Sequence, residues 1–237
     1  MRTTKPAFTL QIDNIPIAIY RKKIKHTYLS IRRSDGQVRL SVPKYINEEK
    51  LREFIQRKLS WIHHHRKKIA TMLPPQPYSY TTGEQHYFLG EAYTLQVIHT
   101  KQKPFKVVED QNNLLLYASE GATRTQKEKI LDTFYRKAIQ TRIPLLIEKW
   151  STCMGVIPYQ VRIRKMKTRW GTCIPGKKRI WLNLCLAKYA PHLLEYIFVH
   201  EMVHFFEKNH GKHFQALMTT FLPPWQTYKA ELRECQP

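Results

Sequence analysis

The sequence HEMVHFFEKNH occupies residues 200–210 of the 237-residue chain and carries its most informative pattern. On an α-helix, residues four positions apart lie on one face, so the imidazoles of His200 and His204 can reach the same metal ion. Glu201 follows the first histidine, where its carboxylate can contact a water molecule at that metal. The H-E-x-x-H spacing therefore predicts a catalytic zinc site, against the alternative of a core helix with hydrogen-bonded histidines.

A third metal ligand is needed, because catalytic zinc sites have three protein ligands and keep one position for water. His210 follows His204 by six residues and precedes Gly211, which can act as a helix C-cap and turn the chain back. We therefore favour His210 as the third ligand. His213 is its rival, and Glu207 is a weaker alternative.

Helical periodicity surrounds this motif. Residues 191–211 are predicted to form one helix that Gly211 ends, residues 212–222 a second helix, and the prolines at 223–224 a break before the tail. The apolar positions that support the first helix are Leu194, Ile197, Phe198, Met202 and Phe205.

The segment HEMVHFFEKNHGKHF, together with the upstream segments KMKTRWGTC and RIWLNLCL, resembles the YgjP-like zinc metallopeptidase family, which is related to SprT-type proteases. The family pattern is an H-E-x-x-H helix followed by N-H-G/S-x-x-F, with an R-W-G-S/T-C strand motif before it. The resemblance is strongest between residues 135 and 225, and Thr172 stands where serine is frequent. It implies a zincin-like fold with Zn²⁺ bound by three histidines and a catalytic carboxylate, namely His200, His204, His210 and Glu201.

The segment RWGTC, residues 169–173, is a candidate edge strand near the metal. In zinc peptidases such a strand holds an extended substrate by backbone hydrogen bonds. Gly171 would let the substrate or another backbone approach closely, and Arg169 could bind a carboxylate or phosphate. We therefore name Arg169, Trp170 and Gly171 as substrate-binding candidates. The alternative is that Trp170 and Cys173 pack in the core and Arg169 forms a structural ion pair.

The rest of the chain reads as an α+β protein. Two groups of short strands, FTLQI, IPIAIY, TYLSIRR and QVRLSVP and then HYFL, YTLQVI, FKVVE and NLLLYA, are separated by a helical stretch, INEEKLREFIQRKLSWIHHHRKKIA. Residues 124–154 form a long amphipathic stretch that Pro144 is expected to kink or divide. Strands YQVRIRKM and RIWLNLCL follow, and we expect Asn183 to be a strand-end hydrogen bonder rather than a catalyst.

The expected organisation is a β-rich N-terminal portion, residues 1–123, with one long helix, and a zincin-like catalytic portion, residues 124–237, with an antiparallel edge strand and the H-E-x-x-H helix. No internal repeat is apparent. We expect one continuous domain, because the Pro-rich connection near residue 75 falls between a helix and further strands rather than between two self-contained cores.

The charge balance is strongly basic: 40 Lys and Arg stand against 18 Asp and Glu, a net charge of +22. Such a surface attracts polyanions, including nucleic acid, nucleotides and acidic protein segments. The basic residues fall in three clusters. These are Arg21, Lys22 and Lys23; then Arg162, Arg164, Lys165, Lys167 and Arg169; then Lys177, Lys178 and Arg179.

Three functional hypotheses follow. The motif and the resemblance favour a metallopeptidase that cleaves a polypeptide through a zinc-activated water. The same metal chemistry on a phosphoanhydride would give a nucleoside triphosphate pyrophosphatase, for example converting UTP to UMP and pyrophosphate, with the last two basic clusters holding the triphosphate. A SprT-like protease acting on DNA-associated proteins, with nucleic acid bound by the basic surface, is the third.

Other features narrow the class of protein. No apolar run reaches 18 residues, so no membrane span or membrane partner is expected. The N-terminal residues lack an uninterrupted apolar region, so we expect no secretory signal. The four cysteines are widely spaced and include no C-x-x-C pair, which favours reduced thiols in the cytoplasm and argues against a cysteine-bound metal.

Overall fold

The computed structural model describes residues 6–32, 35–71 and 78–235, and the chain divides into two compact units, residues 1–77 and 78–237. None of the helices in the described part is both long enough and apolar enough to span a membrane. The architecture is α+β, as the sequence predicts, with three small sheets of mixed strand direction.

The first unit is a four-stranded sheet with two helices. Its elements are β1 (Phe8–Ile12), β2 (Ile15–Lys22), β3 (Tyr28–Ile31), β4 (Val38–Pro43), α1 (Glu48–Arg57) and α2 (Leu59–Thr71). The sheet order is β1-β2-β4-β3, with only the central pair parallel. The single helix expected here is two helices that meet at Lys58, and both bury apolar residues in one core with the sheet.

The second unit begins with another four-stranded sheet. Its strands are β5 (Gln85–Phe88), β6 (Glu91–His99), β7 (Lys106–Asp110) and β8 (Asn113–Ala118). Their order is β5-β6-β8-β7, again with only the central pair parallel. Strand order and pairing therefore repeat those of the first unit. The sequence shows no matching repeat because a strand requires only that alternate residues be apolar. Many different apolar residues meet this requirement, so two sheets can share a topology without sharing a sequence.

A long helix, α3 (Arg124–Met154), follows this sheet. It begins with a capping box, in which the Thr123 side chain accepts from the Gln126 backbone and the Gln126 side chain accepts from the Thr123 backbone. It ends at Gly155, whose φ of 65° stops the helix. Of the two expectations for Pro144, a kink or a division, the division is wrong: the helix continues through this exposed proline, which removes only one backbone donor.

The remaining elements build the site. They are β9 (Gln160–Arg164), β10 (Gly171–Ile174), β11 (Arg179–Asn183), α4 (Pro191–Val203), α5 (Lys212–Phe221) and α6 (Trp225–Glu234). The sheet order is β10-β11-β9, and β10 pairs antiparallel with β11, so β10 is the antiparallel edge strand that the sequence predicts. Helix α6 lies in the segment that sequence analysis treated as a tail after the proline break.

The expected boundary between residues 123 and 124, within one continuous domain, differs from the observed division between residues 77 and 78. The sheet β5–β8 shares its core with α3 and α4, so it belongs to the second unit, whereas the first sheet shares a core with α1 and α2. Residues 72–77, which include the Pro-rich connection, lie outside the described part. The buried residues that precede them in the sequence and those that follow them form two separate cores. Buried residues of the larger core include Leu95, Leu114, Leu116, Leu131, Tyr135, Ile139, Ile197 and Phe198.

Candidate metal centre

The end of α4 positions the first two histidines. The helix ends at Val203 with His204 as its C-cap, eight residues before Gly211. The expectation that Gly211 caps this helix is therefore wrong: Gly211 is the N-cap of α5, with φ −75° and ψ −168°. The backbone tightens after His204 because Phe205 and Phe206 donate to carbonyls only three residues earlier. This early end lets the chain return towards the helix.

Three imidazoles meet where the chain returns. The candidate ligand nitrogens of His200, His204 and His210 all lie within 4.8 Å of one another, and no other such metal-binding group was found among the described residues. The Nε2 atoms of His200 and His210 are 2.9 Å apart. The rival ligands are engaged elsewhere, since His213 Nδ1 lies 3.4 Å from Glu207 Oε2. The geometry therefore brings together the set that the sequence favours.

Phe214 supports all three imidazoles. Its ring lies 4.9 Å from those of His200 and His204 and 4.7 Å from that of His210, measured between centroids. Phe214 is only 2% exposed, so this contact surface is fixed by the core. Sequence analysis did not select Phe214 as a site residue, although it is the aromatic position of the N-H-G-x-x-F pattern.

Two of the three histidines, His200 and His210, have lowered pKa values, which favour the neutral imidazole that binds a metal. Burial, reinforced by the neighbouring His204 and His210, lowers the pKa of His200 to about 3. Burial and His204 also lower the pKa of His210. His204 Nδ1 lies 2.9 Å from the Glu207 carbonyl, which accepts a hydrogen bond from the Nδ1–H group and leaves the lone pair on Nε2 free. Neutral imidazoles at this separation fit a divalent ion such as Zn²⁺.

Glu201 is buried beside this cluster, with 5% of its surface exposed. Burial raises the pKa of Glu201 to about 8, and the positive charge of Arg169 opposes the shift. A Cβ atom on Gly171 would lie 2.7 Å from Glu201 Oε1 and 2.9 Å from Ile197 Cγ2. Gly171 thus lets β10 approach α4 closely, and the Glu201 side chain occupies the space that a side chain at position 171 would fill.

Asn183 fixes the loop that precedes β10. Its Nδ2 donates to the carbonyls of Met166 and Arg169, at 2.9 and 2.7 Å. Its Oδ1 accepts from the backbone N–H groups of Met166 and Cys185, each at 3.2 Å. The expectation of a strand-end hydrogen bonder is confirmed, and the side chain is fully buried. Through these bonds Asn183 holds the backbone of Arg169.

The other residues of the R-W-G-T-C segment differ in exposure. Arg169 is exposed and forms no ion pair with any described residue, so the structural ion pair considered for it is not seen. Trp170 is half-buried against the core, with its ring 5.3 Å from that of Tyr189 in an edge-to-face contact. Burial, together with Glu201, raises the pKa of Cys173 to about 12, which makes its thiol unreactive. Substrate roles for Arg169 and Trp170 stay predictions.

A family model for the YgjP-like metallopeptidase domain matches residues 25–235. The chain belongs to the YgjP-like metallopeptidase family. Among solved structures, this YgjP-like chain is similar to the metallopeptidase zymogen abylysin of Pyrococcus abyssi, with a TM-score of 0.36, 18% identity, and coverage of 39% of this chain and 94% of that one. It is also similar to the zymogen jannalysin of Methanocaldococcus jannaschii, with a TM-score of 0.35, 20% identity and coverages of 39% and 94%. The search of curated proteins gave no match.

Proposed function

We propose that this YgjP-like protein is a zinc-dependent peptidase whose metal is bound by His200, His204 and His210. The observation that carries the proposal is the convergence of three imidazole nitrogens within 4.8 Å, beside a buried carboxylate. When bound at such a site, zinc polarises a carbonyl and lowers the pKa of a water molecule to about 7.

Glu201 supplies the proton transfers. In this proposal its carboxylate takes the proton of the attacking water and then delivers it to the leaving amine of the cleaved peptide. Burial keeps bulk water from competing for the carboxylate, and the close approach of Gly171 limits the positions that its oxygens can take. The role requires no other acid, since one carboxylate serves as base and then as acid.

An extended polypeptide fits the strand next to Glu201. Strand β10 pairs with β11 on one side only and is the edge of its sheet within the described residues. An unpaired strand edge offers backbone donors and acceptors to a substrate in extended conformation. In this proposal Arg169, which is exposed two residues before this strand, would contact a substrate carboxylate or carbonyl.

The basic clusters give little support to a triphosphate substrate at the same centre. Lys165 is bound by Glu128 and Asp132, at 2.5 and 3.0 Å. Arg162 and Arg164 lie on β9, at the opposite edge of the sheet from β10. The positive charge of Arg169, by contrast, does act on the buried Glu201 carboxyl. We therefore prefer the peptidase to the nucleotide pyrophosphatase.

The test compares wild type with Glu201→Gln, which keeps the shape of the side chain but cannot accept the proton. Both proteins are assayed against unfolded casein and against nucleoside triphosphates, with metal content measured. We expect casein cleavage that falls by about 10²–10⁴-fold in the variant while zinc is retained. Full activity of the zinc-loaded variant would exclude this role for Glu201, and pyrophosphate release without casein cleavage would favour the pyrophosphatase.

A further inference from the structure

The sheet of β9, β10 and β11 has two chemically different faces. Side chains alternate along a strand, so neighbouring residues of β9 and β11 point to opposite faces. One face lies in the core with α3 and α4, and it carries Val161, Ile163, Ile180 and Leu182. The alternate residues on the other face include Arg162, Arg164, Arg179 and Trp181.

Two aromatic rings, one on this second face and one just before β9, lie close to guanidinium groups. Trp181 is outside the apolar core, and the Cζ atoms of Arg162 and Arg164 lie 5.6 and 5.9 Å from the centroid of its ring. Arg179 Cζ lies 5.9 Å from the ring centroid of Tyr159, which is 76% exposed. The Tyr159 backbone N–H donates to the Lys178 carbonyl at 2.8 Å, which anchors this ring at the end of the sheet. We call these five residues, Tyr159, Arg162, Arg164, Arg179 and Trp181, the Arg–aromatic face.

The positive charge of the Arg–aromatic face is uncompensated. No Asp or Glu occurs anywhere between Glu148 and Glu195, a stretch that includes all three strands. Within the described residues, none of the three arginines forms an ion pair. The Nε of Arg179 is buried and has no hydrogen-bond partner there. Guanidinium groups held over rings without a carboxylate partner are available to an external anion.

We propose that the Arg–aromatic face binds single-stranded nucleic acid. The guanidiniums would pair with phosphates, while the rings of Trp181 and Tyr159 would stack with bases. A single strand fits better than a duplex because a duplex hides the faces of its bases. An acidic peptide or an anionic membrane would use the charge but leave these rings without a stacking partner. The proposal does not rest on the peptidase reaction, since Glu201 lies against the other face of the sheet.

The test measures the anisotropy of fluorescein-labelled dT20 and rU20 titrated with the full-length protein over a range of salt concentrations. Arg162→Gln/Arg164→Gln/Arg179→Gln should weaken binding at least tenfold. It should also reduce the slope of log affinity against log salt by about 2, since each lost phosphate contact removes about 0.7. Trp181→Leu should weaken binding about tenfold at an unchanged salt slope, because it removes stacking rather than charge. Trp181→Phe should retain most of the affinity.

The matched control removes three charges elsewhere in the second unit. Lys101, Lys106 and Lys137 are exposed, and their replacement by Gln should weaken binding less than threefold. An equal loss in this control would overturn the proposal, because binding would then follow net charge alone. So would tighter binding of a duplex of equal length, or binding to vesicles with 30% phosphatidylserine but not to either oligonucleotide. Thermal melting identifies misfolded variants, and Trp181→Phe then still tests the stacking.

Discussion

At the scale of single residues, the candidate metal centre depends on the absence of a side chain at Gly171. The Cβ position of Gly171 is already within 2.7 Å of the Glu201 carboxylate and 2.9 Å of Glu201 Cγ. An added methyl group would have to displace the carboxylate, because Ile197 blocks the remaining space at 2.9 Å. Gly171 therefore fixes where Glu201 stands relative to the three histidines.

Gly171→Ala is expected to lower peptidase activity by about 100-fold, because a displacement of about 1 Å in a catalytic group has this effect. Zinc content should be unchanged, since the atoms nearest to an added Cβ belong to Glu201 and Ile197 and not to the three histidines. The matched control is Gly176→Ala, where an added Cβ meets nothing within 4 Å and the activity should be that of the wild type. Steady-state cleavage rates, with the metal content of each protein measured, test this prediction. A fully active Gly171→Ala variant would contradict the claim that Gly171 fixes the position of Glu201.

At the scale of elements, a buried side chain connects β11 to the loop before β10. Asn183 makes four hydrogen bonds, three of them to the loop residues Met166 and Arg169 and one to Cys185. The sequence predicted that Asn183 bonds at a strand end, because Asn bonds readily to backbone groups. The sequence did not identify the hydrogen-bond partners in the loop, because these residues lie 14 and 17 positions away and come close to Asn183 only when the sheet has formed.

Asn183→Ala is expected to lower the free energy of unfolding by about 2–4 kcal/mol, because it leaves buried backbone donors and acceptors without partners. Urea denaturation measures this change. Asn113→Ala is the control, since the Asn113 side chain only accepts one bond from Gln96 and the expected loss is about 1 kcal/mol or less. If the two variants were equally stable, the loop would not depend on Asn183.

Sequence analysis did not predict the C-terminal end of α4 correctly. Periodicity placed α4 and α5 correctly, but it extended α4 to Gly211 because Phe205 continues the apolar pattern beyond the true end. The helix stops at His204, where the tertiary contacts of the imidazoles with one another and with Phe214 compete with the helical backbone. Sequence analysis favours His210 as the third ligand because a turn is expected at Gly211. The chain does turn back there, but Gly211 is the N-cap of α5 and not the end of α4.

At the scale of the whole molecule, the chain contains two separate cores with a common sheet topology. The strand orders β1-β2-β4-β3 and β5-β6-β8-β7 match, with the same parallel and antiparallel pairs. Individual strands were predictable from their alternating apolar residues, but the division between cores was not. The division depends on which helix covers which sheet. Residues of α3 and β8 share the larger core, but nothing in the sequence around them indicates that these two elements pack together.

A chain limited to residues 78–237 is expected to fold cooperatively and to bind one equivalent of zinc. The reason is that this unit holds all three histidines and its own continuous apolar core. Circular dichroism with thermal melting, followed by metal analysis, checks both expectations. A fragment that stays unfolded, or that folds without binding zinc, would show that residues 1–77 complete the unit.

The most direct test of the central claim is the zinc stoichiometry of wild type, His210→Ala and His213→Ala after dialysis against a weak chelator. The account predicts one equivalent of zinc in wild type and in His213→Ala, and far less in His210→Ala, because His210 lies with His200 and His204 while His213 lies beside Glu207. Full zinc in His210→Ala together with its loss from His213→Ala would contradict the ligand set. No zinc in the wild type would contradict the metal centre itself.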